Sequence, residues 1–263
     1  MIKMIITDMD GTLLNSEKKS PIGIKNYIER LHERGVKFVI ASGRQYYNLR
    51  TFFLGQDHMV SYISENGALI FENGKNIYAA KMEEKHLRDS IAKIKDIKGA
   101  YPIYCGIENA YIMDEESVFL SHAKMYYEHL KIISDISQIA DDIICKIAVF
   151  DEIGAETNSY PILQMEEHMQ VTLSGHNWVD ITEKGVNKGH ALSVLQKKHN
   201  LKPNECIAFG DYLNDCDMMA LCEYSYAMAN AHPDLKKICR YETASNDDDG
   251  VMDAMRLHFP DLV

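Results

Sequence analysis

Apolar runs that end in a short polar turn and lead into a helix recur at both ends of this chain, and no other feature constrains the fold as strongly. Met4-Ile5-Ile6 has the length and isoleucine content of a buried strand and runs into Thr7-Asp8-Met9-Asp10-Gly11. Pro21 to Arg34 then reads as a helix, with Ile24, Tyr27, Ile28 and Leu31 at three- and four-residue spacing and Gly35 where a helix C-terminus favours it. Val36 to Ala41 repeats the strand, Ser42-Gly43-Arg44 the turn, and Gln45 to Phe53 the helix. Met59 to Ser64 predicts a third strand closing in Glu65-Asn66-Gly67-Ala68, followed by a hairpin over Leu69 to Tyr78 that turns at Asn73-Gly74. This β-α-β-α-β order implies a parallel, doubly wound, Rossmann-like α/β sheet.

The pattern returns at Gly185. Lys188 to His199 predicts a helix, Glu205 to Phe209 a strand ending in Gly210-Asp211-Tyr212-Leu213-Asn214-Asp215, and a helix with Met218, Met219 and Leu221 follows. Tyr224 to Met228 and Tyr241 to Ala244 predict two more strands, with helices at Pro233 to Cys239 and Val251 to Leu257. The middle has a different texture. It predicts helices at Glu83 to Ile97, Val118 to Leu130 and Ala155 to His168, among strands at Ala100 to Cys105, Ala110 to Asp114, Ile143 to Phe150, Gln170 to Leu173 and Trp178 to Thr182. The expectation is a core domain of residues 1–82 and 184–263, interrupted at 83–183 by an inserted α+β cap domain around a mostly antiparallel sheet.

Composition bounds the partners. With 263 residues, 46% of them hydrophobic, the chain can build two cores. Lys and Arg number 28 against 39 Asp and Glu, a formal charge of −11, which argues against a nucleic-acid or anionic-membrane surface. No apolar run approaches the ~18 residues of a membrane span, and no signal-peptide pattern opens the chain. The six cysteines form no Cys-x-x-Cys pair and the eleven histidines no zinc-spaced cluster, so the expected setting is cytoplasmic. An acidic chain repels an anionic ligand unless a local cation reverses the field.

Polar residues stand at the ends of three apolar strands: Asp8 and Asp10, Ser42, then Asp211, Asn214 and Asp215, with Lys188 opening a helix between the last two. In a doubly wound sheet these positions meet along one edge. Singly each has an ordinary explanation, Ser42 as an N-cap and Lys188 as a helix-start lysine. Jointly, four carboxylates at one edge repel by ~4 kcal/mol per close pair at 4 Å in an effective dielectric near 20, and they require a cation. Oxygen-only ligands favour a hard ion, Mg²⁺ when a phosphate completes its shell. Metal and Lys188 together would make a positive pocket on an acidic protein.

On these motifs the chain resembles the haloacid dehalogenase superfamily, and specifically its Cof-type phosphatases, which carry a large cap between the second and third motifs. Asp8 to Leu14 is similar to the first motif, Ser42-Gly43-Arg44 to the second, Lys188-Gly189 to the third and Gly210 to Asp215 to the fourth. Ser64 to Ala68, Ala227 to Ala231 and Asn246 to Gly250 also resemble Cof-type stretches, although Ala229 stands where a glycine is common.

The resemblance implies a two-step phosphoryl transfer from small phosphorylated metabolites, sugar phosphates foremost. Asp8 would attack phosphorus and carry an aspartyl-phosphate that water then hydrolyses. Asp10 would protonate the leaving oxygen, later take a proton from water, and offer its backbone carbonyl to the metal. The Met9 and Gly43 backbone amides, Ser42, Lys188 and Asn214 would hold phosphoryl oxygens, and Lys188 would also steady Asp8. Asp8 and Asp211 would ligate the metal, with Asp215 behind or alternating. Arg44 is a candidate substrate contact. Asn66 and Asn230 read as turn-holding groups, Tyr126 and Tyr127 as core or rim, and His122, His176 and Trp178 as cap residues within reach of substrate. At a strand end, residues i and i+2 face one side, so Asp8 and Asp10 can address one phosphate.

Two other readings stand beside this one. A phosphomutase needs an added basic cluster in the cap for a second phosphate, and none is visible. A non-catalytic metabolite-binding regulator would be expected to have lost Asp8, Asp10 or Lys188.

Overall fold

The computed structural model describes residues 1–113, 117–139, 141–165 and 167–262, and it gathers the two outer parts of the chain into one sheet and the middle into another. The first part runs β1 (Met4–Thr7), α1 (Ile24–Glu33), β2 (Lys37–Ala41), α2 (Tyr46–Phe52), β3 (Val60–Ser64), β4 (Leu69–Glu72) and β5 (Lys75–Ala79). The middle adds α3 (Glu84–Lys95), β6 (Ala100–Gly106), β7 (Ala110–Ile112), α4 (Ser117–Tyr126), β8 (Leu130–Ile132), β9 (Ile144–Asp151), α5 (Ser159–Leu163), β10 (Met169–Gly175) and β11 (Trp178–Glu183). The last part contributes α6 (Lys188–Lys198), β12 (Cys206–Gly210), α7 (Cys216–Ala220), β13 (Tyr224–Ala227), α8 (Pro233–Ile238), β14 (Tyr241–Glu242) and α9 (Gly250–His258).

The eight-stranded sheet has the order β14-β13-β12-β1-β2-β3-β4-β5. Strands from β14 to β3 are parallel, and β4 and β5 are antiparallel, joined through Asn73 and Gly74 at positive φ as the hairpin signal predicts. From β1 the chain winds outward to β3, then returns on the other side of β1 with β12. The order reverses at β1, and the crevice at the C-terminal ends of β1, β2 and β12 is where such sheets bind ligands. The helices cover the sheet with apolar faces; α1 buries Ile24, Tyr27, Ile28 and Leu31, the residues its period selects.

The inserted α+β layer is a six-stranded sheet, β10-β11-β9-β6-β7-β8, antiparallel except for the β7–β8 pair. Both of its faces bury apolar side chains. Ile147 and Val149 of β9 join Ile94 of α3 and Leu163 of α5 in one cluster, while Ala148 and Phe150 join Phe119, Ala123 and Tyr127 in another. The period of two thus sends alternate β9 side chains to opposite helical layers, and the Phe150 face looks toward the crevice.

Local structure departs from the sequence reading at three places. The helix expected to reach Leu130 stops at Tyr126, and Leu130–Ile132 forms a strand. Gln45, on the other sheet's side, breaks it there: its amide donates to His129 O at 3.0 Å and accepts from His129 N at 2.9 Å. The helix expected over Ala155 to His168 shrinks to Ser159–Leu163, because the Asp151 carboxylate takes the backbone N–H groups of Ile153, Gly154 and Ser159 and holds the preceding residues in turns. The last strand is two residues long. Asp114, at the end of an expected strand, and Glu166, within an expected helix, lie outside the described residues.

Candidate active site

β1 delivers Asp8 at its end, and the Asp8 amide still donates to Phe209 O at 3.0 Å, so the residue is tied to the sheet. Asn187 caps α6 by accepting from His190 N at 2.8 Å, which sets Lys188 in the first turn. A Cβ at Gly67 would lie 2.2 Å from Asn187 O, so the Glu65-Asn66-Gly67 turn packs backbone to backbone on that cap. Lys188 is wholly buried and donates to Asp8 Oδ1 at 2.6 Å and to Asp215 Oδ1 at 2.7 Å. Asp215 Oδ2 accepts from the Asp211 and Tyr212 amides at 3.1 and 3.2 Å, and Thr12 Oγ1 donates to Asp211 Oδ1 at 2.8 Å.

Asp8, Asp211 and Asp215 each bring a carboxylate oxygen to within 4.8 Å of the others. Three acids therefore face one ammonium. Burial pushes Asp8 well above the ordinary carboxylate range, with Asp215 and Asp211 adding to the effect and Lys188 opposing it. Burial and Asp215 push Asp211 up to about 6. Burial works against the Lys188 charge, yet Asp215 and Asp8 outweigh it and hold the ammonium above the usual lysine range. This donor set, all hard oxygen with excess negative charge, fits a small divalent cation.

The Asp10 carboxylate stands outside that cluster, so only its backbone carbonyl remains for a metal. Arg44 forks onto it, with Nε and Nη2 each donating at 2.6 Å, and Lys18 donates at 2.8 Å. Burial alone would raise the Asp10 pKa; the Arg44 hydrogen bonds and charge, helped by Lys18, outweigh burial and hold it below the ordinary range. Arg44, a candidate substrate contact from the sequence, lines the cavity and also pairs with Asn48 at 2.8 Å and the Tyr126 ring at 5.2 Å. Ser42 Oγ accepts from the Arg44 amide at 3.2 Å, and Gly43 O accepts from Lys146 Nζ at 2.8 Å. The Met9 side chain is buried in the core, which leaves its backbone to the site.

Asn214 donates to Asn66 Oδ1 at 3.3 Å. Asn66 sits at left-handed φ and Asn230 donates to Gly11 O at 2.8 Å, so both hold turns. Asp247 accepts from the Ser16 amide and hydroxyl in an exposed loop.

These groups open onto a cavity of ≈ 680 Å³ between the two sheets. Its core side carries Asp8, Asp10, Ser42, Gly43, Asp211 and Asn214. Its other wall is aromatic: His122 stacks on Phe150 at 4.5 Å, Phe150 meets Trp178 at 5.3 Å, and Trp178 meets Tyr126 edge-on at 5.5 Å. His176 joins them, so the three cap residues singled out in the sequence all line the cavity. The sequence reading passed over Lys18, Lys146, Phe150 and Asp180, which line it too. Lys146 and Asp180 each interrupt an apolar strand, and a charge inside a buried strand signals a partner.

Fold and site together define a doubly wound, Rossmann-like enzyme with an acid–lysine cluster at the switch point of its sheet. The chain belongs to the haloacid dehalogenase-like hydrolase family, whose model matches residues 5–255. The 5-amino-6-(5-phospho-D-ribitylamino)uracil phosphatase YbjI of Escherichia coli is 26% identical, with 97% of this chain and 95% of that protein aligned. An HMP-PP phosphatase of an Enterobacter species is 25% identical over 89% of this chain and 87% of its own length. A crystal structure from Streptococcus mutans superposes with a TM-score of 0.90 at 28% identity, covering 99% of this chain and 100% of that one.

Proposed function

We propose that this phosphoric monoester hydrolase depends on Mg²⁺ and works through an aspartyl-phosphate on Asp8. The observation that carries the reading is the buried Lys188, bridging Asp8 and Asp215 beside Asp211 at the sheet's switch point. Asp8, Asp211 and the Asp10 carbonyl would hold the metal with Asp215 in support, and when bound it supplies the positive charge that lets a carboxylate and a phosphate approach each other.

In the first step an Asp8 oxygen bonds to phosphorus and the ester oxygen leaves with a proton from Asp10. In the second, water bonds to phosphorus, gives its proton to Asp10, and the Asp8–phosphorus bond breaks. Asp10 starts as a carboxylate under Arg44 and Lys18. An incoming phosphate dianion competes for both cations, and as they shift toward it the proton affinity of Asp10 rises and it takes up from solvent the proton it then delivers. Ser42, the Met9 and Gly43 amides, Lys188 and Asn214 position the phosphoryl oxygens, where most of the catalysis lies.

We take residues 83–183 as the cap over a core of 1–82 and 184–263, in a cytoplasmic protein; the six thiols form no disulfide, and among the described residues no helix is long and apolar enough to cross a membrane. Small phosphorylated metabolites are the substrate class, with sugar phosphates proposed first. The aromatic wall favours a second class, phosphate esters carrying a planar ring, in line with the pyrimidine named in the Escherichia coli relative. A phosphomutase would need a second phosphate site, but the cap lysine in the cavity, Lys146, is already enclosed by Glu65, Asp180 and Gly43 O.

Hydrolysis of an aryl phosphate with and without Mg²⁺, for the parent, Asp8→Asn and Asp10→Asn, tests the mechanism. Turnover should need the metal and fall roughly a thousandfold or more in Asp8→Asn. Metal-independent turnover, or full activity in Asp8→Asn, would sink it.

A further inference from the structure

The Ser42-Gly43-Arg44 turn is gripped from the opposite sheet by a residue that the reaction scheme does not use. Lys146 lies on β9, a strand buried along its whole length, and is 1% exposed. Its Nζ donates to Gly43 O at 2.8 Å and stands 2.7 Å from Glu65 Oε2 and 3.3 Å from Asp180 Oδ1. An ammonium out of water is tolerated only when oxygens enclose it. Here they come from three separate stretches: the turn after β2, the turn after β3, and β11.

The peptide that Lys146 grips joins Gly43 to Arg44. On its other side the Arg44 N–H donates to Ser42 Oγ at 3.2 Å, which leaves the serine proton to be given away. The Arg44 side chain forks onto Asp10. The turn bearing Glu65 straps the same loop: the Glu65 amide donates to Arg44 O at 3.1 Å and the Asn66 amide to Ser42 O at 3.0 Å. Both Glu65 and Asn66 hold left-handed φ, a conformation that non-glycine residues keep only under external constraint.

We infer that Lys146 is a positioning residue: by fixing the Gly43–Arg44 peptide from the six-stranded sheet, it orients the Ser42 hydroxyl toward phosphate and the Arg44 fork toward Asp10. The phosphate cradle is then complete only while the two sheets sit together. The inference rests on the phosphatase reading above for the identity of the anion, but its test needs no turnover.

The triple variant Lys146→Met/Glu65→Gln/Asp180→Asn replaces the ion cluster with neutral groups of similar size, a change that buried ion clusters often tolerate. Calorimetry with Mg²⁺ alone, and with inorganic phosphate at saturating Mg²⁺, reads the two sites separately. Phosphate should bind about tenfold more weakly or worse, with Mg²⁺ affinity within about twofold of the parent. Lys146→Arg, which keeps a charged donor for Gly43, should restore phosphate binding to within about threefold of the parent. Unchanged phosphate affinity in the triple variant, equal loss of both ligands, or an arginine variant as weak as the triple one overturns the assignment. If melts show the triple variant unfolded, Lys146→Met/Asp180→Asn is measured in its place. A parent that binds Mg²⁺ and phosphate without hydrolysing esters would refute the proposed function and leave this inference standing.

Discussion

Arg44 does most to hold the Asp10 carboxyl below its ordinary range. Arg44 places two N–H groups on its two oxygens at 2.6 Å, a bidentate match that lysine cannot reproduce. Removing that fork lets burial dominate, so the Asp10 pKa rises. In the proposed second step Asp10 acts as the base, so Arg44→Met should move the acidic limb of aspartyl-phosphate hydrolysis to higher pH, since the base form of Asp10 is lost earlier as pH falls. We expect the rate of that second step near neutrality to drop about 10- to 100-fold. Rapid-quench decay of the phospho-enzyme formed from an aryl phosphate, followed from pH 4.5 to 8, checks both; an unmoved acidic limb would remove Asp10 from the proton path. The Asp8–Asp10 spacing was legible in the sequence because it is local. The fork was not, since Arg44 lies 34 residues away and its partner is chosen by the β1–β2 pairing.

Element by element, what could be read was whatever periodicity controls. β1, β2, β3, the β4–β5 hairpin and α1 fall where apolar spacing and turn residues put them. The failures sit where a distant side chain captures backbone groups. Gln45 ends α4 by pairing with His129, and nothing near His129 in sequence announces it. Asp151 shortens α5 in the same manner, and it is wholly buried. Burial raises its pKa, but hydrogen bonds from Ser159, Asn158 and the backbone of Ile153 and Gly154 outweigh this and hold it below the ordinary range. A depressed carboxylate pKa stabilises the fold above the unfolded value, about 3.9, and that contribution disappears as pH falls through the folded one. Asp151→Asn should thus destabilise by about 1–3 kcal/mol at pH 7. In urea melts the gap from the parent should close below pH about 4; a gap independent of pH would show that packing, and not charge, does the holding.

At the scale of the whole molecule, an acidic chain concentrates three carboxylates at the switch point of its sheet, and the proposed anion site there needs a cation. The Asp8, Asp211 and Asp215 cluster opposes folding when it is fully ionised and metal-free, which is why Asp211 is pushed up to about 6 by burial and its neighbour Asp215. A carboxylate with a raised folded pKa binds a proton more readily folded than unfolded, so on its account the metal-free protein gains stability as pH falls from 7 toward 4. Mg²⁺ competes with that proton, so its affinity should grow as pH rises through about 6. At a hundredfold excess over Kd, bound Mg²⁺ adds about 2.7 kcal/mol, or roughly 5–10 °C in Tm for a chain of this size. Melts with Mg²⁺ or EDTA should show that shift at pH 7.5 and a markedly smaller one at pH 5, with Asp211→Asn more stable than the parent in EDTA and nearly blind to Mg²⁺. An Mg²⁺ shift that is the same at both pH values, or retained in full by Asp211→Asn, would mean that the cation binds elsewhere.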